Sequence, residues 1–88
     1  METRVAVMSI IVEAPESVER LNAHLHAYRE YIIGRMGIPY RGSGRAISII
    51  SIAIDAPQDT ISALAGKIGK LPGVSVKTAY SSVVGHAE

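Results

Sequence analysis

The chain of 88 residues contains no cysteine, no tryptophan and no phenylalanine; four tyrosines are its only large aromatic side chains. Without cysteine there is no disulfide, no iron–sulfur ligation and no thiol nucleophile. Without tryptophan and phenylalanine the core must be aliphatic, built from Ile, Val, Leu and Ala within an apolar fraction of 48%, which is too high for a disordered chain. No apolar run approaches the ~18 residues of a membrane span, and METRVAVMS lacks the apolar stretch and cleavage site of a signal peptide. The expectation is a cytoplasmic protein with no membrane partner. Nine Lys and Arg against eight Asp and Glu give a net charge of +1, so no excess of one sign draws the whole chain to nucleic acid. A chain of this length forms one domain (1–88, ordered core about 4–82) and buries only about two thirds of its unfolded surface.

What is present is a repeat. SIIVEAPE begins at Ser9 and SIAIDAPQ at Ser51, an offset of 42 residues. Each copy alternates apolar residues, ends on an acid, and passes through Ala-Pro into helical spacing: Val18, Leu21, Leu25 and Tyr28 in the first copy, Ile61, Leu64, Ala65, Ile68 and Leu71 in the second. Pro15 and Pro57 suit a first helical position, where the missing N–H costs nothing, and Glu16 and Asp59 complement the helix dipole. The second stripe lags the first by one residue. YIIGRMGIPY (31–40) and VSVKTAY (74–80) read as the strands that follow, and carrying the offset through them aligns Arg35 with Lys77 and Ile38 with Tyr80. RGSGR (41–45) reads as a Gly-rich hairpin joining the halves. The order βαββαβ, with right-handed crossovers, predicts an α+β, ferredoxin-like sandwich whose four-stranded antiparallel sheet has the order 4-1-3-2.

The strand patterns say which surfaces need covering. On the first strand Met8, Ile10 and Val12 point one way and Val5, Val7, Ser9 and Ile11 the other; on the third, Ile50, Ile52 and Ile54 oppose Ile47, Ile49, Ser51 and Ala53. Both strands are apolar on two faces and belong at the centre. Two helices cover one face of such a sheet, which leaves Val5, Val7, Ser9, Ile11, Ile47, Ile49, Ser51 and Ala53 as an open patch of a kind monomers rarely expose. Covering about 400 Å² of it per subunit is worth roughly 10 kcal/mol before the entropy of association is subtracted. The reading is a subunit interface of a homo-oligomer, dimer or tetramer.

LHAYREYIIGRMGIPYR (25–41) and ISIISIAIDAPQDTISALAGKIGKLPGVSVKTAYS (47–81) resemble the small proteins called iron-only hydrogenase system regulators, a likeness that covers nearly the whole chain. That family's fold is similar to ACT domains and to the metal-sensing C-terminal domain of the nickel-responsive repressor. The resemblance implies an ACT-like, oligomeric, non-enzymatic regulatory or ligand-sensing module, with transcriptional regulation of an iron-only hydrogenase system as its setting. The repressor's ribbon-helix-helix arm has no counterpart once the first strand begins near Arg4, so direct nucleic-acid binding is not implied. Its metal site, a cysteine with clustered histidines, is also missing. ACT domains that bind amino acids place glycine in the loop after the first strand, whereas this loop is Glu13-Ala14-Pro15.

Few residues suggest chemistry. His24 and His26 stand two apart on a helix, about 200° around its axis, and cannot grip one ion together; His86 belongs to a frayed tail. No metal and no cofactor is expected. Glu13 and Asp55, equivalent by the repeat, read as acids that bond turn or helix amides rather than as an acid–base pair. Gly34 and Gly37 within a strand mark a bulge or a tight subunit contact. Arg35, Arg41 and Arg45 flank the hairpin with no acid between positions 31 and 54, which reads as a binding site for a small anionic metabolite or an acidic protein partner beside the amides of Gly42 to Gly44. The competing reading is a basic hairpin that keeps a sheet edge soluble. Base stacking of the RNA-recognition type needs aromatics on the central strands, which carry none. The alternatives to a regulator are a small enzyme with its site in a cavity between subunits, and a protein-interaction module without ligand.

Overall fold

In the computed structural model, which describes residues 2–42 and 44–86, the apolar runs form β1 (Glu2–Val12), α1 (Val18–Ala27), β2 (Ile32–Ile38), β3 (Ser48–Ala56), α2 (Gln58–Gly69) and β4 (Val74–His86). The strands make one antiparallel sheet in the order β2-β3-β1-β4, which is 4-1-3-2 read from the other edge. The fold is thus the ferredoxin-like βαββαβ sandwich that the repeat predicts. His86 lies within β4, where its backbone position pairs with Glu2, and not in a frayed tail. Pairing with β1, which itself starts at Glu2, extends β4 beyond its apolar run.

The two Ala-Pro steps start their helices differently. Pro15 opens a 3-10 turn (Pro15–Ser17) that leads into α1. Pro57, at φ −56° and ψ 147°, stands one residue before the helix as its N-cap, and its carbonyl accepts the amides of Thr60 and Ile61 at 3.0 and 3.1 Å. The turn between α2 and β4 passes through Gly73 at φ +67°, a left-handed conformation that costs glycine little and other residues more. Space at Gly73 is equally restrictive, because a Cβ there would lie 2.6 Å from that of Ala14. The amide of Glu13 donates to the Gly73 carbonyl at 2.7 Å, and the buried Ser17 hydroxyl donates to the Pro72 carbonyl at 2.6 Å. The loop after β1, where amino-acid-binding ACT domains carry glycine, is therefore closed by the chain's own turn before β4.

Between helices and sheet lies the aliphatic core. Met8, Ile10, Ile52, Ile54, Leu21, Ile61, Leu64 and Ile68 are completely buried, and Tyr28, Tyr31 and Tyr80 pack at its margin. Both helical stripes predicted from spacing face inward.

Ser9 pairs with Ser51, so the first residues of the two copies meet at the centre of the sheet and the internal two-fold of the repeat passes between them. On the flanking strands the offset changes. Ser51 is opposed by Met36 on β2 and Ser9 by Lys77 on β4, so Met36, not Arg35, is the counterpart of Lys77, and Ile38 is matched by Ala79 rather than Tyr80. One residue fewer separates the two strands, and each side chain changes face relative to the sequence alignment. A register shift at Ile32/Gly34 gives β2 a bulge, which accounts for Gly34. The join between β2 and β3 is no tight hairpin but a connection over 39–47, in which the Tyr40 ring occupies the space a Cβ on Gly42 would need.

Candidate functional site

The helices lie on one side of the sheet, and the other side carries the patch predicted from alternation. Register places Val7 beside Ala53, Ser9 beside Ser51 and Ile11 beside Ile49, all on the uncovered face together with Val5; Ile47 just precedes β3. Val5, Val7 and Ile11 keep 42, 40 and 40% of their surface exposed, while Met8 and Ile10 between them keep none. The slip on β2 enlarges this surface. Met36 and Ile38 fall beside Ser51 and Ile49, exposed by 60 and 45%, so the apolar area continues from β1 across β3 to the β2 edge. Toward β4 it ends in Ser75, Lys77 and Ala79. Sequence reading missed Met36 and Ile38 because it carried the offset of 42 too far along the chain.

The three arginines proposed as an anion site do not share a setting. Arg35 pairs across the sheet with Ile52, which puts it on the helical side, away from Lys77, where its guanidinium donates to the Asn22 side-chain oxygen of α1 at 2.8 Å. Arg45 makes an ion pair with Glu13 at 3.6 Å, both groups largely exposed. One arginine of the stretch free of acids in sequence is thus paired in space with the acid at the end of β1. Arg41 has no partner among the described residues. Glu13 accordingly spends its carboxylate on Arg45 rather than on a turn amide, and Asp55 is exposed at the end of β3.

The histidines of α1 face different neighbourhoods. His26 lines a shallow groove with Asn22, Arg29 and Arg35, and there Arg29 donates to the His26 carbonyl at 2.9 Å. His24 lines the larger groove between α1 and α2 with Arg20, Lys67 and Lys70. Lys67 is held 5.0 Å from the centre of the Tyr28 ring. Among the described residues no three His, Asp or Glu side chains come together as a metal site, and no helix is long and apolar enough to cross a membrane.

At the start of the sheet Arg4 does structural duty. It reaches the Ser81 carbonyl at 2.6 Å and Gln58 at 3.3 Å, and its guanidinium lies 5.4 Å from the Tyr80 ring centre, tying β1, β4 and α2 at one end.

Comparison with known proteins adds identity to this geometry. The pattern of the TM1266-like family, described as iron-only hydrogenase system regulators, matches residues 4–78. The structure of TM1266 from Thermotoga maritima, called an uncharacterized protein, superposes with a TM-score of 0.81 at 34% identity over 89% of this chain and 96% of that one. Two more distant structures share the fold alone. The apo form of CPII, a nitrogen regulatory PII-like protein from Thiomonas intermedia, gives a TM-score of 0.58 at 14% identity over 98% of each chain. A formyltetrahydrofolate deformylase from Pseudomonas putida gives 0.57 at 15% identity over 85% of this chain and 28% of the enzyme. No curated protein matches the chain.

Proposed function

Since the chain belongs to the TM1266-like family of iron-only hydrogenase system regulators, we propose that it is a non-catalytic regulatory subunit that works as a homo-oligomer joined through the open sheet face. The carrying observation is the contrast within β1, where alternate aliphatic residues are fully buried or about two fifths exposed with no element among the described residues to cover them. Ser9 and Ser51, small and central, let a second sheet approach closely, and Val5, Val7, Ile11, Ile47, Ile49, Ala53, Met36 and Ile38 supply the apolar surround. Such an interface has an aliphatic centre and, at the β4 side, a polar rim containing Lys77. The regulatory assignment comes from the family and the oligomeric one from the uncovered face.

The test is genetic and structural together. Deleting the gene in its host should change transcript levels of the iron-only hydrogenase system, and the wild-type chain should restore them. A chain carrying Val7→Asp, folded but unable to assemble, should not. Unchanged transcripts on deletion would refute the regulatory role, and full restoration by the Val7→Asp chain would refute the need for assembly.

A further inference from the structure

The groove between α1 and α2 holds cationic groups that neither the interface nor the family description uses. It measures about 500 Å³, within the size range of small-ligand sites, and is lined by Arg20, Ala23 and His24 from α1 and by Lys67, Lys70 and Leu71 from the end of α2. No acid lines it. Among the described residues the one ion pair of the chain is Arg45 with Glu13, so Arg20, Lys67 and Lys70 are not neutralised by any carboxylate. Three of the nine Lys and Arg of a chain with net charge +1 thus gather on a single concave surface, with an imidazole beside them.

Helix dipoles explain part of this arrangement. Lys67 and Lys70 at the end of α2 complement the partial negative charge of its carbonyls. Arg20 and His24 stand one turn apart on the other helix; His24 falls in its last turn and suits the dipole, whereas Arg20 lies near its start, where the dipole disfavours a cation. The placement of Arg20 opposite the lysines is what the dipoles leave unexplained and a bound anion would favour. Lys67 is steadied by the Tyr28 ring, which reduces the side-chain freedom lost on binding. Between its charged groups the lining of the groove is mainly apolar, with Ala23 and Leu71 contributing.

We propose that this groove binds a small phosphate-bearing anion, its charge shared by Arg20, His24, Lys67 and Lys70. A planar guanidinium with two ammonium groups suits the several oxygens and double charge of a phosphate better than a single carboxylate. The groove is on the helical side of the sheet, so an oligomer assembled through the opposite face leaves it open to solvent in each subunit. Binding here does not depend on that assembly.

The experiment uses the isotopically labelled full chain and inorganic pyrophosphate as probe, followed by amide chemical shifts at constant ionic strength. Saturable shifts should be confined to residues 20–24 and 67–71. The exposed double substitution Arg20→Ala with Lys70→Ala should keep the spectrum of the folded chain and weaken binding by at least about tenfold, the scale of one lost charged hydrogen bond or more. Arg35→Ala should bind as wild type does. Absence of saturable shifts, shifts spread over all basic surface residues, or equal binding by the double variant would overturn the proposal. So would saturation of the same amides by an oligoglutamate peptide or a short DNA duplex but not by pyrophosphate, since the partner would then be a macromolecule.

Discussion

The two faces of the central strands are built from the same residue types, yet they end in opposite states. Met8, Ile10, Ile52 and Ile54 meet helices and lose all exposure, while Val5, Val7 and Ile11, one residue away on the same strand, have no element packed over them among the described residues. Strand alternation sends side chains to both sides regardless of what waits there, and the described residues supply α1 and α2 to one side only. What differs between the faces is therefore the source of the cover. The helical face is completed by folding, and on the proposed reading the open face is completed by assembly.

Placing one carboxylate on each face should break the comparison most sharply. Ile52→Asp puts a charge at a site with no exposure and no partner, a cost of several kcal/mol against a stability of about 5–15 kcal/mol. The expected outcome is a chain without a folded circular-dichroism spectrum. Val7→Asp puts the same group where two fifths of the residue surface is exposed in a single chain. Folding should survive and the oligomer should dissociate, because in the assembly that carboxylate is desolvated without a counter-charge. A Val7→Asp protein that sediments like the wild type would show that the open face is not the contact.

A smaller effect is expected at the turn that closes the loop after β1. Gly73→Ala forces a side chain into the left-handed region and against Ala14, and should lower stability by about 1–3 kcal/mol in urea denaturation. A neutral result would mean that the turn relaxes and that this loop is less tightly held than its hydrogen bonds indicate. The smallest effect belongs to Glu13→Gln, which removes the partner of Arg45. Both groups are more than half exposed, so thermal denaturation should register at most about 1 kcal/mol, falling further in high salt.

The fold was legible because the repeat, the alternation and the Ala-Pro steps all act locally. Helical stripes such as Ile61, Leu64 and Ile68 and the two-sided apolar pattern of β1 and β3 need no tertiary knowledge to be read. Registers on the outer strands were less accessible, since a bulge near Gly34 and one residue fewer in the β2–β4 offset move Arg35 to the helical side and Met36 to the open side. The separate settings of Arg35, Arg41 and Arg45 were equally out of reach. Charge compensation depends on what the fold brings near, and Glu13, distant from Arg45 in sequence, is beside it in space. The interhelical groove left a faint sequence signal in Arg20 and His24 at a spacing of four and Lys67 and Lys70 at a spacing of three, but only the packing of α1 on α2 joins the two pairs.

Assembly through the open face is most directly tested by light scattering on the purified wild-type and Val7→Asp chains at micromolar concentration. The wild type should have the mass of at least two chains at every concentration in that range, and the variant the mass of one with unchanged secondary structure. A monodisperse wild-type monomer would contradict the account.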